Sequence, residues 1–104
     1  MPADKFILAD RVSYQSDSIV SSEIASKKAG SVTVFAFDAG QGLSEHTAPF
    51  DAIVQILDGE ADITVSGKSV TASAGELVIM PAGEPHSLKA VNRFKMLLIM
   101  LRSA

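Results

Sequence analysis

Gly75-Glu-Leu-Val-Ile-Met-Pro81-Ala-Gly83-Glu-Pro-His86 joins a glycine turn, four consecutive apolar residues, a proline stop and a histidine in one short segment. Leu77–Met80 is wholly apolar and reads as a short strand. Pro81 ends that strand by withdrawing a donor from the ladder. Gly83 lets the backbone turn, and His86 then opens the next strand facing back inward.

The same grammar holds along the chain. Short runs rich in β-branched and aromatic residues at 5–9, 19–26, 31–38, 51–57, 61–66, 69–72, 86–91 and 94–101 are each closed by a turn signal. Asp58-Gly59 reads as a hairpin turn between 51–57 and 61–66. The longest irregular stretch is 39–50, which contains Gly40, Gly42 and Pro49. Short strands at regular spacing with no long helical period predict an all-β protein, an antiparallel sandwich or barrel. The 104 residues suit a single domain, and the hydrophobic fraction of 47% suits a packed core.

A second stretch is built like the first: Gly40-Gln-Gly-Leu-Ser-Glu-His46-Thr-Ala48-Pro-Phe-Asp-Ala52, running on to Gly59. On these residues the chain resembles the cupins, specifically the small single-domain cupins of the cupin 2 conserved barrel family. Gly75, Pro81, Gly83 and His86 fall at the offsets of that family's second motif, and Gly40, His46 and Gly59 at those of its first. The resemblance covers about residues 35–101, with strands expected at 5–26 before it in one domain of 1–104. It implies a jelly roll, a double-stranded β-helix closed into a barrel. It also implies one metal ion held by two histidines and a carboxylate of the first motif with the histidine of the second.

The departures from that pattern bear most on function. His46 and His86 occupy two of the expected ligand slots, but the remaining histidine slot is Ala48 and the carboxylate slot is Ala52. Ala90 stands at the asparagine slot that closes the second motif. A methyl group cannot bind a metal, and two imidazoles alone seldom hold zinc, nickel or iron firmly. Glu45 alternates to the face opposite His46, which leaves Asp51 as the one nearby carboxylate. With Ala52 inward, Val54 and Ile56 point inward too. The expected pocket is therefore His46, His86, Ala48, Ala52, Val54 and Ile56, and the cofactor is a divalent metal (zinc, nickel, manganese or iron) or none.

Composition excludes several classes. There are no cysteines, hence no thiol nucleophile, disulfide or thiolate metal site. Nine basic and 12 acidic residues give a net charge of −3, with no basic stripe for nucleic acid. The apolar run 96–101 is far too short to span a bilayer. A cytoplasmic protein acting on neither nucleic acid nor membrane is expected. Ile53 and Leu57, and both sides of 94–101, make outer faces greasy enough to call for a second copy, so a homodimer is expected. The first functional reading is a small-molecule-binding barrel with a two-histidine pocket. The alternative is a metal-dependent enzyme of isomerase or dioxygenase type using His46, His86 and Asp51. A third is a dimeric sensing module of the kind that elsewhere precedes a DNA-binding domain.

Overall fold

The computed structural model describes residues 4–102. Eight strands follow one short 3₁₀ turn, Leu8–Arg11: β1 (Ile19–Lys27), β2 (Gly30–Phe37), β3 (Gly42–His46), β4 (Asp51–Val65), β5 (Lys68–Ser73), β6 (Leu77–Met80), β7 (His86–Lys89) and β8 (Phe94–Leu101). All pairings are antiparallel. The order β1-β2-β8-β4-β7-β3 forms a curled sheet, and β5 and β6 also pair with β4.

β4 organises the fold because it is shared by both walls of the barrel. Its first half pairs with β8 on one side and β6 on the other. Its second half, Glu60–Val65, pairs with β5, and Asp62–Val65 also pairs with β7. The strand changes wall at a bulge between Ile56 and Asp58, where the register against β8 shifts. Gly59 follows with φ of +72°, and a Cβ there would overlap the Arg93 carbonyl oxygen. The expected hairpin at Asp58-Gly59 is therefore corrected. The left-handed backbone that Asp-Gly favours serves a bulge that bends one continuous strand, because β8 goes on pairing across it. The hairpin turn comes later, at Ser66 and Gly67, both at positive φ.

The barrel is filled by alternate residues of these strands. Phe37 and Phe94 lie directly opposite across β2 and β8 and stack at 4.7 Å, and Val54, Ile56, Ile63 and Met96 close around them with no exposure. A second cluster forms on the outer face, where Val34, Ala36 and Leu97 are covered by Leu8, Val12 and Tyr14.

That second cluster explains another correction. The expected strand at 5–9 is not formed: the chain turns at Leu8–Arg11, and Lys95 Nζ donates to the Ala9 carbonyl. Turning delivers Leu8 and Val12 to the greasy outer face of β2 and β8, so the chain itself supplies part of the cover. Tyr14 fastens the segment. Its hydroxyl donates to Asp58 Oδ2 at 2.6 Å, and the Arg93 guanidinium lies 4.6 Å from its ring centre.

Candidate functional site

β3 and β7 are neighbours, and their register places His46 directly across from His86. The sequence arranges this locally. Pro81 stops β6, and the loop to His86 is tied to the stretch after His46 by two bonds. Gly83 N–H donates to the Ala48 carbonyl at 2.8 Å, and Ala82 N–H donates to Asp51 Oδ1 at 2.8 Å. The two histidine-bearing stretches thus brace each other.

The rings meet edge to face, with centroids 4.4 Å apart and Nε2 3.1 Å from Nε2. Each Nδ1 lies against a backbone carbonyl two residues earlier: Ser44 O at 2.8 Å for His46 and Glu84 O at 3.2 Å for His86. A carbonyl oxygen only accepts, so Nδ1 is the donor in each of these contacts, and the two Nε2 atoms face each other. His86 is 5% exposed, whereas His46 stands at the open rim.

Beneath the pair lies a cavity of about 290 Å³ whose wall carries no charged side chain. Its volume is close to the lower end of ordinary small-molecule sites. Ala48 and Ala52 line it beside the histidines, with Leu43, Phe50, Leu88 and Leu98. Thr47, Pro49, Met80, Met96 and Met100 complete the wall, and the three methionines are all those of the protein except Met1.

Of the six residues expected in the pocket, the structure brings His46, His86, Ala48 and Ala52 together at the cavity. Val54 and Ile56 face the same way as Ala52 but are fully buried in the packing below it, so they support the floor without lining it. Asp51 is not brought to the histidines. It alternates away from the buried Ala52 and is engaged by Ala82 N–H. Sequence reasoning missed the three methionines. Alternation in β8 put Met96 and Met100 on one face, but only the register, with Met100 and Met80 flanking Ala52, brings them to the cavity.

The donor set does not fit the metal of the resemblance. Two imidazole nitrogens face each other, two methyl groups hold the other slots, and Asp51 is committed to the loop. Among the described residues no three His, Cys, Asp or Glu side chains cluster as a bound ion would require.

Comparison with known proteins agrees with the geometry. Residues 33–101 match the family model for the cupin domain. A conserved protein of unknown function from Streptococcus pyogenes is 35% identical, with a TM-score of 0.93 over 100% of this chain and 91% of that one. A cupin 2 conserved barrel domain protein from Leptotrichia buccalis is 40% identical with a TM-score of 0.90, over 93% of this chain and 47% of that one, so this chain spans about half its length. A cupin superfamily protein from Desulfitobacterium hafniense is 27% identical, with a TM-score of 0.91 over 99% of this chain and 95% of that one. No curated protein matches the chain.

Proposed function

The chain belongs to the cupin family, and from that premise we propose that it is a binding barrel for a small, largely apolar molecule, gripped at one end by His46 and His86. The observation that carries this reading is the concentration of Met80, Met96 and Met100 on one cavity wall. Methionine is unbranched and polarisable, so such a wall adjusts to the shape of a guest. The methyl groups of Ala48 and Ala52 leave room where a family metal site would place ligands, and the histidines supply the polar end. We place the protein in the cytoplasm.

The test is a titration of protein labelled at the methionine methyl carbons with 1-hexanol, an uncharged apolar probe. Saturable NMR shifts of Met80, Met96 and Met100 are expected, and their absence would overturn the reading. Near-stoichiometric zinc, nickel, manganese or iron in the purified protein, lost in His86→Ala, would favour the metal-dependent enzyme instead.

A further inference from the structure

Among the described residues, Ser31 Oγ is the side-chain polar atom that is buried and bonds to nothing. The residue as a whole is 7% exposed. Taking a hydroxyl out of water without a new partner is costly, and most buried hydroxyls have one. Ser31 lies on the same side of β2 as Phe35 and Phe37, which pack into the barrel, so it faces the interior. Across the ladder Ser31 stands opposite Met100, Met100 opposite Ala52, and Ala52 opposite Met80. These four side chains share one face of the sheet, and the last three line the cavity. The hydroxyl therefore sits one strand beyond the cavity wall, a spacing of about 5 Å, with Met100 between.

Met100 suits a partition that moves. It is half-buried and unbranched, and its row neighbours Ser31 and Ala52 are both small. A guest that turns it aside reaches Ser31 without breaking a ladder bond. Thr33, opposite the wall residue Leu98, carries the next hydroxyl on the same face of β2.

We propose that Ser31 is a second polar anchor of the cavity, and that the guest is an uncharged apolar chain with a hydrogen-bonding group at each end; the inference rests on the binding reading above. One end meets His46 and His86. The other passes Met100 and gives Ser31 Oγ the partner it lacks. A serine hydroxyl both donates and accepts, so an alcohol, amide or carbonyl serves there. A charged end is disfavoured, because Met100, Ala52 and Leu98 offer nothing to compensate it.

Methionine-methyl titrations with 1-octanol and 1,8-octanediol, on the wild type and on Ser31→Ala, separate this proposal from the reading beneath it. Comparing each probe across the two proteins cancels the difference in their solubility. Ser31→Ala is expected to lower the ratio of diol to octanol affinity about three- to tenfold, the worth of one neutral hydrogen bond. Met100→Ala removes the partition, so that ratio should rise, and it should fall again when Ser31→Ala is added. Met80 and Met96 report binding in those variants. A diol that does not bind, or a ratio unchanged by Ser31→Ala, overturns the second anchor and leaves the binding barrel standing. If neither probe shifts the methionines, both fall.

Discussion

Replacing Gly59 with alanine tests whether the bend in β4 holds the two walls together. Two costs follow from the structure. A side chain at φ of +72° enters the left-handed region, which costs about 1–2 kcal/mol. The added Cβ also overlaps the Arg93 carbonyl oxygen, and such overpacking costs about 1–3 kcal/mol more. Gly67→Ala isolates the first cost, because Gly67 has φ of +79° but nothing within 4 Å of its ideal Cβ. The expected losses are about 2–5 kcal/mol at Gly59 and about 1–2 kcal/mol at Gly67. Urea unfolding with an unchanged m-value reads both. Equal losses at the two positions would refute the close approach of β8 to the bend, and with it this account of how one strand serves both walls.

Three further outcomes are expected. Burial and the neighbouring Asp58 carboxylate raise the Tyr14 phenol above its ordinary range. The unfolded chain gives up that proton near pH 10 and the folded protein holds it longer, so this contribution is full below about pH 10 and is lost as pH rises further. Tyr14 is the only tyrosine, so its ultraviolet titration reads the shift directly, and a midpoint near pH 10 would contradict it. Ser31 is 7% exposed and its hydroxyl has no partner among the described residues, so Ser31→Ala should leave thermal stability unchanged or raise it by up to ~1 kcal/mol. A clear loss would reveal a partner for that hydroxyl. Leu77 and Ile79 remain 54% and 59% exposed on the face that Leu8, Val12 and Tyr14 leave open, and a second copy is the expected cover. Light scattering should give twice the monomer mass, and Ile79→Glu should give the monomer. A monomeric wild type at tens of micromolar would refute the homodimer.

Much of the fold was legible because turn chemistry and strand composition agree wherever a strand ends in proline or glycine. Pro81, Gly83 and His86 mark the β6–β7 connection in the sequence, and the structure forms it there. Two elements misled for physical reasons. Asp58-Gly59 offers positive φ equally to a hairpin and to a bulge, and only the partner strand β8 distinguishes them. The segment 5–9 is apolar enough for a strand, but the uncovered face of β2 and β8 rewards burial of Leu8 and Val12 more than pairing. At the site, Ala48 and Ala52 were readable by counting from motif residues. The methionine wall was not, because it depends on which residues of β6 and β8 fall opposite Ala52.

The continuity of β4 also governs how fast a guest exchanges. A barrel of two separable walls admits ligand by parting them, at a rate set by breaking ladder bonds. Here one strand runs through both walls, and the open rim beside His46 is bordered by the irregular residues Thr47, Ala48, Pro49 and Phe50. Passage then needs only movement of that short segment, on the order of nanoseconds to microseconds for a loop. A guest of modest affinity should therefore come and go without any loosening of the core, and its signals should move smoothly through a titration as single averaged peaks.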